Sequence, residues 1–226
     1  DLVNNVTLFP HGILDFMPDN KIKKSRIKLL SINPNRLIAS YGFCLPNKGY
    51  SELIKAVHIL KNKNFRVKLS IYCAIYSDEY YFVYEDLINL IDSLDLHGDV
   101  KLISDFETDF QSLTNLSEND LLIFPYQSSN ESSSASVRMG LASLKPVLVT
   151  PLPIFNDVSS MVDYLPGTSP DDIATGIQEW FEYSSNQFNL KNDYLHEKKM
   201  KIKNRSFSYL GRRLLSIIHS LENVNE

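Results

Sequence analysis

The chain has 226 residues, of which 43% are apolar and 22% charged, and its 23 basic and 27 acidic residues give a formal net charge of −4. This composition is typical of a soluble globular protein that buries one good hydrophobic core, and it excludes a largely disordered chain. The charge balance argues against a general nucleic-acid-binding protein. No apolar run is long enough to cross a bilayer, and the first residues lack a signal-peptide pattern.

Residues 1–28 are predicted to be a linker that enters a domain. A short apolar run ends at Pro10, and a polar, basic stretch follows it. Its most basic part, KIKKSRIK at residues 21–28, could contact an anionic membrane surface. A solvated connection is the commoner role of such a segment, so the sequence favours a linker.

Strand-like and helix-like patterns alternate over residues 29–184. The β-rich runs lie at residues 36–41, 66–75, 100–103, 121–124 and 147–149. Between them, apolar residues recur at helical spacing, at residues 51–62, 80–94, 108–116 and 135–144. This alternation predicts an α/β domain with a parallel sheet, helices on both faces and right-handed crossovers.

The last part of the chain, residues 185–226, is predicted to be helical and to pack back on the domain. The helix before it has Ser169 as its N-cap and Pro170 at its first position. The basic residues around Lys201 favour the solvated face of a helix over contact with a membrane or an acceptor. One apolar stripe marks the last helix: Leu210, Leu214, Ile217, Ile218 and Leu221.

Residues 131–149, ESSSASVRMGLASLKPVLV, combine a serine cluster, an amphipathic helix and a buried strand. Ser132, Ser133 and Ser134 can each cap the helix, whose first N–H groups and positive dipole end would then suit an anion. The preceding strand ends at Pro125, so the serines follow the carboxyl end of a strand, where open α/β sheets bind ligands. The sequence therefore predicts a phosphate site at this helix.

The cysteines and serines argue against two other kinds of site, a zinc site and the active site of a serine hydrolase. Cys44 and Cys73 adjoin strand-like runs and are predicted to be buried free thiols, as is typical of a reducing compartment. Two distant cysteines are too few for a zinc site. No serine lies in the glycine pattern of a nucleophile elbow, which argues against a serine hydrolase.

Three motifs, in this order, resemble the C-terminal domain of the group 1, family 4 glycosyltransferases of the GT-B fold. They are FPHGI at residues 9–13, GFCLPNKGYSELIKA at 42–56 and FPYQSSNESSSASVRMGLASLKPVLVT at 124–150. The similarity runs from about residue 8 to the last helix. It implies that residues 29–184 form a Rossmann-like donor-binding domain, the C-terminal half of a GT-B fold, followed by C-terminal helices.

The resemblance also implies an activity. In that family the C-terminal domain holds a nucleoside diphosphate sugar, and the N-terminal domain holds the acceptor. The sugar is transferred with retention of configuration and without a metal or other cofactor. We therefore expect a hexosyltransferase-type domain whose acceptor-binding N-terminal domain is missing here, and which is inactive in isolation.

Partners and location follow from the same resemblance. They are a nucleotide sugar and a glycan, lipid-linked or protein acceptor, with no role for nucleic acid. The expected location is the cytoplasm, with peripheral contact at the inner face of the membrane. Polysaccharide biosynthesis or protein glycosylation in a bacterium is the expected pathway.

Site residues carry over one at a time. Lys48 matches the lysine that contacts the donor diphosphate, and Glu131 matches the first glutamate of a paired motif, which contacts hydroxyls of the transferred sugar. These two are the expected catalytic residues. The backbone of Ser134 and Ala135 matches the peptide groups that hold the diphosphate. The other expected donor-binding positions of this set are Gly12, Gly42, Gly49 and Ser133.

Two positions depart from the family pattern. Phe43 stands where an arginine is common, and Met139 stands where the second glutamate binds the nucleotide ribose. Methionine cannot accept a useful hydrogen bond. Met139 and Arg138 are nevertheless expected to be donor-binding positions. Arg138 could replace the lost charge, or it could belong to a structural salt bridge instead. These departures leave open a non-catalytic carbohydrate or scaffold module, and fold alone also leaves open another sugar-nucleotide enzyme such as an epimerase.

Overall fold

The computed structural model describes residues 7–16, 36–186 and 188–222, so residues 1–6 and 17–28 of the expected linker lie outside it. The strands of the described part are β1 Arg36–Phe43, β2 Val67–Ala74, β3 Val100–Ile103, β4 Leu121–Phe124, β5 Val147–Val149 and β6 Asp163–Tyr164. Its α-helices are α1 Tyr50–Asn62, α2 Tyr81–Ser93, α3 Asp109–Ser117, α4 Ala135–Ala142, α5 Pro170–Asn186, α6 Phe188–Lys203 and α7 Phe207–Glu222. Short 3-10 turns occupy Pro46–Lys48, Asp78–Tyr80 and Pro153–Val158.

The strands form one parallel sheet in the order β3-β2-β1-β4-β5-β6. The first strand, β1, lies in the middle of the sheet. Strands β2 and β3 follow outward on one side of β1, and β4 lies on its other side. The strand order therefore reverses between β1 and β4. In open α/β sheets the loops that leave two such strands diverge to opposite faces and open a crevice at their carboxyl ends.

Two hydrophobic cores cover the two faces of the sheet. Strand β4 divides its side chains between them, because Leu121 and Ile123 pack with α1, α2 and α5, while Leu122 and Phe124 pack with α3 and α4. All four side chains are fully buried. A strand buried on both faces explains the continuous apolar run in the sequence. The predicted fold class, a parallel α/β sheet with helices on both faces, is confirmed.

Helices α3 and α5 begin with side-chain caps. The Thr108 hydroxyl accepts from the Gln111 N–H, and the Gln111 side chain accepts from the Thr108 N–H. At α5 the Ser169 hydroxyl accepts from the Asp172 N–H at 3.2 Å and donates to its carboxylate at 2.6 Å. These reciprocal bonds satisfy first-turn donors, and they place Ser169 at the predicted cap.

The C-terminal helices contact the segment at residues 7–16. The Ile13 N–H donates to the Arg205 carbonyl at 2.9 Å, and the Phe207 N–H donates to the Ile13 carbonyl at 3.0 Å. Ile13 and Ile202 are buried in the same core. The predicted apolar stripe forms one side of α7, but Leu214 is 48% and Leu221 63% exposed. These two residues of the stripe are therefore largely exposed.

No helix in the described ranges is long and apolar enough to cross a membrane. Cys44 and Cys73 are buried free thiols, as the sequence predicts.

Candidate functional site

The candidate site lies at the carboxyl ends of β1 and β4, beside the switch point of the sheet. The loop after β1 passes through the 3-10 turn Pro46–Lys48 into α1, and the loop after β4 leads into α4. The Gln127 N–H donates to the Asn47 carbonyl at 3.0 Å, so the two loops are hydrogen-bonded to each other.

Gly49 allows these loops to meet. Its φ is +73°, and a Cβ at this position would lie 1.8 Å from the carbonyl oxygen of Pro125. The Gln127 side-chain amide fixes the same turn, because it donates to the carbonyls of Pro125 at 2.9 Å and Thr168 at 3.0 Å. Only glycine combines this left-handed backbone with so close an approach of another strand end.

The loop contact places Lys48 beside the start of α4. The Lys48 ammonium donates to the Tyr126 hydroxyl at 2.9 Å, and that hydroxyl is 3.0 Å from the Ser134 Oγ. Ser134 is the N-cap of α4, and its Oγ accepts from the Val137 N–H at 3.2 Å. Of the three candidate serines, the last is therefore the cap. The N–H groups of Ala135 and Ser136 lie in the first turn and have no preceding helix carbonyl to bond. They are therefore available to bind an anion.

Glu131 and Ser133 lie in the loop that leads into α4. Glu131 is exposed, and its N–H donates to the Ser129 Oγ at 3.1 Å. Ser133 is half-buried, next to the buried cap residue. A carboxylate on this loop is available to accept hydrogen bonds from a polar ligand.

Arg138 is bound within the protein. Its Nη1 donates to the Ser134 carbonyl at 2.8 Å, and its Nη2 pairs with the Asp157 carboxylate. Burial lowers the pKa of Arg138, and the Asp157 carboxylate opposes that shift. Of the two roles considered for Arg138, the structure shows the salt bridge.

A cavity of about 210 Å³ opens beside the first turn of α4. Its lining includes both departures from the family pattern, Phe43 and Met139, together with Gly42 and Ser136. Gly42 has a φ of +149°, and a Cβ there would lie 2.9 Å from the Ser136 Oγ. The other lining residues are Tyr41, Tyr72, Ala74, Asp105, Phe106, Glu107, Ser112 and Ala135. Aromatic and apolar groups dominate the cavity, and such a lining suits a ring more than an isolated ion.

Gly12 lies against the C-terminal helices. A Cβ at Gly12 would lie 2.4 Å from the ring of Phe207, at the start of α7. Close packing on an aromatic ring accounts for glycine at this position, and the role of Gly12 in donor binding stays a prediction. Among the described residues, no cluster of histidine, cysteine, aspartate and glutamate could hold a metal ion.

No protein-family model matches the chain, and no curated protein matches it in sequence. Solved structures match its fold. A glycosyltransferase from Rickettsia africae is 15% identical with a TM-score of 0.70, over 95% of this chain and 56% of that one. The Anabaena protein Alr3699/HepE, in complex with UDP, is 15% identical with a TM-score of 0.70, over 90% and 54%.

A UDP-forming α,α-trehalose-phosphate synthase from Burkholderia xenovorans is 11% identical with a TM-score of 0.67, over 92% of this chain and 51% of that one. At such identities the likeness concerns the fold alone. The fold is that of the Rossmann-like half of a GT-B fold, and the chain spans about half the length of the solved structures that it matches.

Proposed function

We propose that this domain binds a nucleoside diphosphate sugar as the donor of a glycosyltransferase. The observation that carries the proposal is the convergence of the Lys48 ammonium and the N-terminus of α4 on one place, joined by Tyr126, next to a ring-sized cavity. A lysine and free helix N–H groups together suit a diphosphate. A protein of the same fold is described in complex with UDP and with UDP-glucose, which supports this ligand class.

The donor is proposed to span three neighbouring places. The diphosphate lies between Lys48 and the first turn of α4, the nucleoside enters the cavity lined by Met139, and the sugar is held near Glu131. Lys48 and the helix N–H groups stabilise the negative charge that grows on the departing diphosphate, and Glu131 orients the sugar through its hydroxyls. With a lysine and a helix dipole at the diphosphate, the reaction needs no metal at this position.

The finer assignments rest on the sequence resemblance. They are retention of configuration, transfer of a hexose, and identity with the C-terminal half of a family 4 enzyme. A glycan, lipid-linked or protein acceptor is bound by a second domain outside this chain, at the cytoplasmic face of a membrane. Residues 29–184 are proposed as the donor domain, with residues 185–226 packed back on it.

Isothermal titration with UDP, GDP and dTDP tests the proposal. The folded chain is expected to bind at least one of them, and Lys48→Ala should weaken that binding about tenfold or more because it removes the cation at the diphosphate. Lys63→Ala is the matched control, since Lys63 is an exposed lysine at the other end of α1. Glu131→Ala should weaken the nucleotide sugar more than the nucleotide. A folded chain that binds none of the three contradicts the proposal.

One observation favours a second candidate, a non-catalytic carbohydrate or scaffold module. Phe43 and Met139 line the cavity where polar donor contacts would otherwise stand. Transfer activity of the full-length protein that Lys48→Ala abolishes would exclude this candidate. Donor binding without any transfer would support it.

A further inference from the structure

Tyr126 stands at the centre of the candidate anion site. Its hydroxyl is 2.9 Å from the Lys48 ammonium and 3.0 Å from the Ser134 Oγ, and the residue is only 2% exposed. It therefore joins a residue of the β1–α1 loop to the cap of α4. The resemblance assigns no role to this position.

Two contacts fix the tyrosine, and a third places Lys48 against it. Its ring packs edge-on against Phe155 with 5.2 Å between centroids, and Phe155 is itself fully buried. Its carbonyl accepts from the Thr150 hydroxyl at 2.7 Å. The Lys48 ammonium lies 4.1 Å from the centroid of its ring. Because lysine has a long flexible side chain, this contact sets the lysine's position and not the reverse.

Some hydrogen-bond donors around Tyr126 remain available to a ligand. The Lys48 ammonium donates to the Tyr126 hydroxyl, and the Val137 N–H donates to the Ser134 hydroxyl. The bond between the two hydroxyls therefore uses the hydrogen of only one of them. Whichever hydroxyl donates, the other keeps its hydrogen. Two ammonium hydrogens of Lys48 are also left unused by the residues that the structure describes. Together with the helix start, the Lys48 ammonium matches the several acceptor oxygens of a phosphate, while the buried hydroxyls of Tyr126 and Ser134 hold these donors in place.

We infer that Tyr126 is a positioning residue for the donor diphosphate: its hydroxyl holds the Lys48 ammonium at the N-terminus of α4, so that lysine and helix act on the same phosphate. The inference rests on the proposed function. Tyr126 acts through Lys48 and not through its own contact with the reacting atoms. Without the hydroxyl, Lys48 must give up side-chain freedom each time a ligand binds, which lowers affinity.

A double-mutant cycle tests the inference, with the affinity for UDP measured by calorimetry. Tyr126→Phe keeps the ring and its contact with Phe155, and is expected to weaken UDP about fivefold, the order of one hydrogen bond. In a Lys48→Ala background the same change should have almost no further effect, because the lysine it positions is gone. Thermal unfolding of each variant confirms that the fold is kept.

Tyr50→Phe is the matched control. Tyr50 is also a buried tyrosine, 2% exposed, and its hydroxyl has no hydrogen-bond partner in the part of the chain that the structure describes. Its removal should leave the UDP affinity unchanged. Equal affinity of Tyr126→Phe and wild type, or an equal loss with and without Lys48, would overturn the inference alone. A folded wild type that binds no nucleotide would overturn the proposed function as well.

Discussion

The carbonyl oxygen of Pro125 occupies the place where a side chain on Gly49 would begin. The distance from that oxygen to a Cβ built on Gly49 is 1.8 Å, far inside van der Waals contact. This approach closes the β1–α1 loop on the β4–α4 loop and thereby sets Lys48 beside Tyr126. The geometry of the candidate site thus depends on a glycine that is required for packing.

Gly49→Ala is therefore expected to destabilise the fold by ~3 kcal/mol or more, because it combines a positive φ with a backbone clash. Urea unfolding measures the loss. Gly98→Ala is the control, since a Cβ at Gly98 meets no atom within 4 Å and should change stability little. Equal stability of the two variants would contradict the described loop contact.

Loss of the half-buried pair between Arg138 and Asp157 should also destabilise the fold. Asp157→Asn leaves the guanidinium without its carboxylate, and the free energy of unfolding should fall by ~2–4 kcal/mol. The lower end is expected because the Asp157 side chain is 35% exposed. The double variant Arg138→Met, Asp157→Asn should lose less than the sum of the two single changes. Lys55→Ala, which breaks an exposed pair with Glu52 at 3.9 Å, should cost less than ~1 kcal/mol. Additive losses would count against the pair.

Asp99 gives the fold an acid-sensitive contact. Burial raises its pKa, but hydrogen bonds and charge from Lys68 at 2.8 Å and Lys61 at 3.3 Å outweigh that effect and leave the pKa below its ordinary value. A lowered carboxyl pKa stabilises the folded state above the unfolded value and loses this effect as pH falls through the folded value.

The stability gap between wild type and Asp99→Asn should therefore be constant above about pH 5 and shrink toward pH 3. Urea unfolding across this range measures it. Lys68→Met should shrink the same gap at neutral pH, because it removes the nearer cation. A gap that is independent of pH would refute the ion pairs.

Met139 offers a test of how the nucleoside is held. A carboxylate in the cavity could accept hydrogen bonds from ribose hydroxyls, whereas the thioether cannot. Met139→Glu should therefore raise the preference for UDP over 2′-deoxy-UDP several-fold, while the wild type discriminates little. Both ligands carry the same diphosphate, so the repulsion between the new carboxylate and the phosphates affects both affinities equally and cancels in their ratio. Met200→Glu, on the exposed side of α6, is the control. A wild type that strongly prefers the ribonucleotide would show that another group holds the ribose.

Sequence patterns predicted the short strands most accurately. The bounds of β3, β4 and β5 coincide with the predicted runs. Strands β4 and β5 are continuous apolar segments buried on both faces, whereas β3 is an edge strand with an exposed lysine in it. Strand β1 extends to Phe43, beyond the predicted end at residue 41, because Gly42 and Phe43 pair with Cys73 and Ala74. Such pairing depends on a distant segment and leaves no local signal.

The site was predicted only in part for the same reason. The capped start of α4, where we propose the phosphate, is a local pattern of small capping residues, so the cap could be predicted from the serines. Tyr126 and Lys48 are 78 residues apart, and their contact depends on the way the sheet brings two loops together. Strand β6, two residues long at Asp163–Tyr164, also lacks an apolar run and was not predicted.

An NMR titration of the amide signals with UDP tests the diphosphate site most directly. We expect the largest shifts at Ala135 and Ser136, at the start of α4, and at Gly42 beside the cavity, and we expect Lys48→Ala to reduce them. Shifts confined to the separate cavity near Lys61 and Lys68, or no saturable shift in a folded sample, would contradict a diphosphate site at this helix.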